Sequence, residues 1–132
     1  MSTAVKAVSL EEIASPVAAD PGSYEWKPVR HHFGIQSFGI NANIASQSGN
    51  TVIEPHDESG TQHEELYYVA RGHARFEVAG EVVDAPAGTF VFVGESKLHR
   101  TATAQVAGTV VIAIGGKPGA AFVVSSWEQK YW

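Results

Sequence analysis

Turns punctuate this chain too often for helices to fit between them. From Ile35 onward, short apolar stretches recur every 8 to 12 residues or so, each closed by a turn signal. Between Ile35 and Ile44 the side chains of Phe38, Ile40, Ala42 and Ile44 share one face, and Ser37, Asn41 and Asn43 share the other. That period of two is a half-buried strand. Gly49-Asn50 turns the chain into Thr51–Ile53, and residues 55–62 read as a strand end followed by a polar loop. Further strands are expected over 63–70, 74–78, 81–83, 89–93, 99–104 and 109–114, separated by Arg71-Gly72, Ala79-Gly80 and Pro86-Ala87-Gly88. The stretch Thr89–Val93 is apolar on both faces, as a covered strand would be, and Phe76, Phe90 and Phe92 read as core. Many short strands without intervening helices predict an all-β sandwich or small barrel.

The two ends read differently. Residues 1–8 are weakly patterned and expected to fray, and Ser9 and Glu12 frame a capping box for a short helix that Pro16 and Pro21-Gly22 end. Residues 1–22 are therefore expected as an arm with a short helix, and 23–132 as one barrel domain, consistent with a chain of 132 residues. Trp26-Lys27-Pro28 leads into extended chain, Gly115–Gly119 breaks the last strand, and Ser125 with Glu128 opens a short C-terminal helix carrying Trp127 and ending near Trp132.

Composition bounds the function. With 44% apolar and 17% charged residues the chain can bury a core. The net charge is −5 with no run of Lys or Arg, so nothing is set up to neutralise phosphates and nucleic-acid binding is disfavoured. There is no basic leader and no apolar stretch long enough to span a bilayer, so no membrane partner is expected and a cytoplasmic location is the default reading. Cysteine is absent, so any metal must be held by His, Asp or Glu.

Two motifs carry a family resemblance. Gly88, five residues, Gly94, Glu95, Ser96, two residues and His99 have the spacing of the second cupin motif, with Gly94, Ser96 and Thr103 in place of its Pro, Gly and Asn. Glu65 and Gly72, six residues apart, have the spacing that ends the first. The front of that first motif departs from the family: six residues separate Gly49 from His56-Asp57-Glu58, six more separate Glu58 from Glu65, and Glu58 stands where the second His would be. The chain resembles a small single-domain cupin with a motif core over roughly residues 49–104.

The resemblance implies a jelly-roll β-barrel (a double-stranded β-helix) with a site inside it, a small-molecule ligand, and a homodimer to which the arm around Tyr24 and Trp26 could contribute. It also implies a divalent metal, Fe, Mn, Ni or Zn. Residues at i and i+2 on a strand share a face, so His56 can project with Glu58 and His63 with Glu65, while His99 arrives from a partner strand. The candidate metal ligands are Glu65, His99, His56 and His63; Glu58 reads instead as a solvated loop acid. Tyr67 shares the face of Glu65, and Asn41 and Asn43 offer polar contacts at the pocket mouth, so these three are the candidate substrate contacts. His31, His32 and His73 read as surface residues, and Arg71, Arg75 and Arg100 as exposed strand arginines or anion contacts. The expected function is a metal-dependent oxygenase, isomerase or lyase acting on a small polar molecule. The alternatives are a ligand-binding or sensor barrel without tight metal coordination, and a metal-free acid–base enzyme using His99 and Glu65.

Overall fold

A computed structural model describes residues 4–132, so the fraying expected for residues 1–8 falls outside it at residues 1–3. Among the described residues nine strands form two antiparallel sheets, as expected of a jelly roll. These are β1 (Glu25–Lys27), β2 (Gly39–Ala45), β3 (Thr51–His56), β4 (Glu64–Arg71), β5 (His73–Val78), β6 (Glu81–Pro86), β7 (Phe90–Val93), β8 (Arg100–Ala104) and β9 (Thr109–Gly116). One sheet has the order β1-β2-β9-β4-β7 and the other β3-β8-β5-β6. Among the described residues no helix is long and apolar enough to cross a membrane.

The sheets close on an apolar plug that includes Val52, Val69, Phe76, Val93, Ala102 and Val111, all at most 1% exposed. Small alanines on facing strands let the larger side chains interdigitate, which is how a narrow barrel fills its interior. Gly72 explains one motif position. It adopts φ +75°, and a Cβ there would lie 2.4 Å from the Thr109 hydroxyl, which itself accepts the His73 N–H. Only glycine meets both demands.

Three expectations about the fold need correction. The strand over 89–93 is not covered on both faces: Val91 and Val93 are buried, while Phe90 and Phe92 are 64% and 63% exposed. Neither phenylalanine is core, because the inner face of the edge strand β7 is taken by its valines. The hydroxyls of Ser9 and Ser125 make no capping hydrogen bond, although a 3-10 turn (Leu10–Glu12) and the helix α2 (Ser126–Gln129) both form where expected. A further helix, α1 (Val29–Phe33), follows Pro28 and ends on Gly34 at φ +72°. Five residues are too few to show a helical period, so this helix leaves no pattern to read.

Both ends of the chain fold back on the barrel. The buried Lys27 ammonium donates to the carbonyls of Ile13 and Glu11, pinning the arm. At the other end, Glu128 on α2 accepts a 3.1 Å hydrogen bond from Arg30 on α1, and both side chains are about nine-tenths buried. His31 is surface-exposed as expected, yet its ring stacks on Trp132.

Candidate functional site

The inner face of the five-stranded sheet is polar at one end. Register places Trp26 opposite Asn43, Asn41 opposite Ala113, Ala113 opposite Tyr67, and Gly115 opposite Glu65. Large and polar side chains on β1, β2 and β4 thus face a strand that offers only Ala113 and Gly115 between them. The space left is part of a cavity of about 300 Å³, lined by Trp26, Asn41, Asn43, Glu65, Tyr67 and Ala113 together with Tyr24, His56, Glu58 and Trp127. The three candidate substrate contacts Tyr67, Asn41 and Asn43 all line it.

His56 reaches the cavity because β3 is irregular. Ile53 pairs with Ala102 and His56 with Arg100, so three steps along β3 match two along β8. That bulge reverses the side-chain parity and brings His56 to the inner side. Its Nδ1–H donates to the Glu54 carbonyl at 2.7 Å, which leaves Nε2 to face the cavity. Nε2 lies 3.8 Å from Glu58 Oε1 and 3.6 Å from Glu65 Oε1.

Glu58 is not the solvated loop acid expected. The added residues between Glu58 and Glu65 form a tight turn in which the Glu58 carbonyl accepts the Gln62 N–H, and the Glu58 N–H donates to the Ser96 carbonyl. The turn holds the carboxylate inward, where Thr61 donates to its second oxygen. The longer loop therefore supplies a member of the site.

Glu65 is the centre of the cluster. Its Oε1 accepts from the Tyr67 hydroxyl and, at 2.7 Å, from Arg100 Nη1. Arg100 is fully buried and also donates to the carbonyls of Leu98 and Glu95. It is thus neither an exposed strand arginine nor an anion contact. Burial raises the Glu65 carboxyl, but His56, Tyr67 and Arg100 together outweigh it and hold it below the usual carboxylate value. Burial lowers His56, and the facing Glu58 and Glu65 carboxylates with the hydrogen bond to the Glu54 carbonyl overcome this, raising it to about 10. Burial and the Glu65 charge push the Tyr67 phenol far up, so it stays a donor.

The candidate ligands are therefore only partly brought together. His56, Glu58 and Glu65 present ligand atoms within 4.8 Å of one another, a grouping able to hold a metal ion. His63 is buried beside them, against Phe122, and lines a neighbouring recess with Glu58 and Glu65 rather than joining the three. His99 is corrected outright. It is exposed, just before β8, and Arg100 takes the inward position one residue later. Since parity alternates along a strand, an offset of one residue exchanges the two.

No protein-family model and no curated protein matches the sequence. Solved structures do. An RmlC-like cupin from Desulfovibrio desulfuricans aligns over 84% of this chain and 95% of its own, with TM-score 0.63 and 20% identity. KdgF from a Halomonas species aligns over 82% and 87%, with TM-score 0.63 and 18% identity. A protein from Acidithiobacillus ferrooxidans, assigned as a sugar phosphate isomerase, aligns at TM-score 0.61 and 21% identity over 73% of this chain, which spans only 61% of that protein's length. These likenesses, at such identities, are likenesses of fold.

Proposed function

We propose that this chain, a cupin in its fold, is an enzyme of the isomerase or lyase type that moves a proton on a small polar molecule held at the open end of its barrel. The observation that carries the reading is the charge balance of the cluster. A buried guanidinium already answers Glu65, and His56 lies between two carboxylates that keep a proton on it. The His56 imidazolium gives a proton to a substrate oxygen, and Glu58 accepts one from the adjacent carbon. Glu65 is held by three donors and is a poor base, so it acts by keeping His56 charged and oriented. The assigned isomerase among the structural neighbours agrees with this class of reaction.

The test is a panel of small hydroxy and keto compounds incubated with the protein in D₂O and EDTA, followed by NMR. Loss of a C–H signal is expected for at least one compound, and His56→Gln and Glu58→Gln should each slow it by about a hundredfold or more. A panel that binds without exchange, with or without added metal, would leave a ligand-binding barrel instead.

A second reading rests on the donor set itself. His56 Nε2, Glu58 and Glu65 would hold a divalent ion, and two carboxylates with one imidazole suit Mn(II) or Fe(II) better than Ni(II) or Zn(II). Tyr67, Arg100 and the Glu54 carbonyl would then orient the ligands from behind. Such an ion would polarise a carbonyl or enolate oxygen. Its binding must displace the His56 proton, so calorimetry in buffers of different ionisation enthalpy would show proton release. Exchange that appears only after Mn(II) or Fe(II) is added decides for this reading.

The homodimer is proposed on the outer face of the five-stranded sheet. There Ile40, Ile114, Leu66 and Phe92 form one cross-strand row, and Ile112, Tyr68 and Phe90 the next, whose far end at Ala42 is covered and only 1% exposed. A second copy offers the same two rows, and a self-complementary apolar band of this kind suits a two-fold contact.

A further inference from the structure

Among the described residues, three polar atoms on the inner face of the sheet have no protein partner: the Trp26 indole N–H and the side-chain carbonyl oxygens of Asn41 and Asn43. All three residues line the same cavity, and Trp26 and Asn43 sit directly opposite each other on β1 and β2. Asn43 is fixed in orientation, because its Nδ2 donates to the Val52 carbonyl at 3.0 Å and so its oxygen is the free end. Trp26 and Asn43 are each only 7% exposed. Buried polar groups are nearly always paired, so three without a protein partner along one wall call for a partner from outside the chain, and a guest that fits all three is the one that also fills the cavity.

Their chemistry limits what the guest can be. The two amide oxygens need donors, and the indole needs an acceptor. A hydroxyl serves both. A carboxylate or phosphate cannot donate to the amides, and an ammonium cannot accept from the indole. The other polar lining points the same way: Glu54, Asp57, Glu58 and Glu65 are carboxylates, and His56 is the only cationic residue among the lining. An anionic guest would meet acceptors almost everywhere. Beside this wall stands an aromatic surface. Trp127, 48% exposed, packs against Trp26 at 5.2 Å between ring centroids, and with Tyr24 it lines both this cavity and the adjoining cleft. The buried Arg30–Glu128 pair holds the helix that carries Trp127 in that position. A flat aromatic face next to hydroxyl-seeking groups suits a saturated ring with C–H bonds on one side and hydroxyls on its edge.

We propose that the cavity takes an uncharged cyclic polyol, a sugar-like ring without phosphate or carboxylate. The ring lies on Trp127 and Tyr24, and its hydroxyls pair with Asn41, Asn43 and Trp26. This rests on the reading of the cavity as the substrate site, and it names the substrate class for that site.

The experiment is a binding measurement on the intact chain in EDTA, by saturation-transfer NMR with calorimetry for the hits. The probes are glucose, galactose, ribose and myo-inositol, each beside a charged counterpart: glucose 6-phosphate, galacturonate, ribose 5-phosphate and inositol monophosphate. Saturable binding of at least one neutral probe is expected, at least tenfold tighter than its charged counterpart. Asn41→Ala and Trp127→Leu should each weaken it about tenfold without lowering the melting temperature by more than a few degrees. Tighter binding of a charged probe, or no saturable binding by any neutral one, overturns the proposal, and ordered water is then what serves the three atoms. Because the readout is binding, a protein that holds a polyol but exchanges no proton sinks only the catalytic reading.

Discussion

The two faces of strand β4 invert the usual arrangement of a half-buried sheet. Its inward residues begin with Glu65 and Tyr67, while its outward residues, Leu66 and Tyr68, belong to a half-exposed apolar band with Phe90 and Phe92. Charge lies inside and apolar surface outside. Alternation along a strand reports that two faces differ, but not which one the barrel closes around. The inner face tolerates Glu65 because Arg100, Tyr67 and His56 compensate it. The outer face keeps Phe90 and Phe92 mostly exposed, with Tyr68 packed against Phe90.

Removing the compensation should break the inner face most severely. Arg100→Met leaves buried Glu65 with only Tyr67 and His56 beside it and without its guanidinium, and a loss of about 3 kcal/mol in urea unfolding is expected. Adding Glu65→Leu should restore most of that loss, since an apolar pair of similar volume needs no compensation; failure to do so would mean that Arg100 matters through Leu98 and Glu95 instead. A smaller effect should appear in the pH profile measured in EDTA. His56 is raised to about 10 from 6.5, so its contribution is complete below about pH 6.5 and lost as pH rises through 10. Glu65 is lowered from 4.5, so its contribution is present above that value and lost as pH falls through its depressed folded value. The melting temperature should therefore peak between these limits, and His56→Gln should flatten the alkaline side. The outer face should show the smallest effect on stability: Phe90→Asp with Phe92→Asp should change unfolding by only about 0.5 kcal/mol per site if the protein is compared as a monomer. The same pair should turn dimer into monomer in sedimentation, and a wild type that sediments as a monomer would remove the outer band from consideration as an interface.

Eight of the strands and their turn positions were legible because they depend on local chemistry, whereas β1, three residues long, was too short to show a period of two. Glu65 and Gly72 mark one strand, and Gly72 is fixed by a backbone angle only glycine adopts freely. Side-chain parity was not legible. Exchanging His99 for Arg100 takes one residue of offset in the loop after β7, and although His56 was expected inward, the bulge in β3 that turns it there was not. Neither leaves a compositional trace. Glu58 was misjudged because a polar loop looks the same whether its acid points out or in; a longer loop at a site motif was the available signal. The wall made by Trp127 depends on Arg30 meeting Glu128, 98 residues away, and no pattern in either neighbourhood announces that contact.

That distant contact also has a cost in chain closure. Arg30 and Glu128 are 98 residues apart, so the loop between them is expensive to close until the strands from Gly39 to Gly116 have paired. The aromatic wall is therefore expected to dock after the barrel around the reactive cluster has formed, which a slower fluorescence phase in refolding, lost in Glu128→Gln, would show.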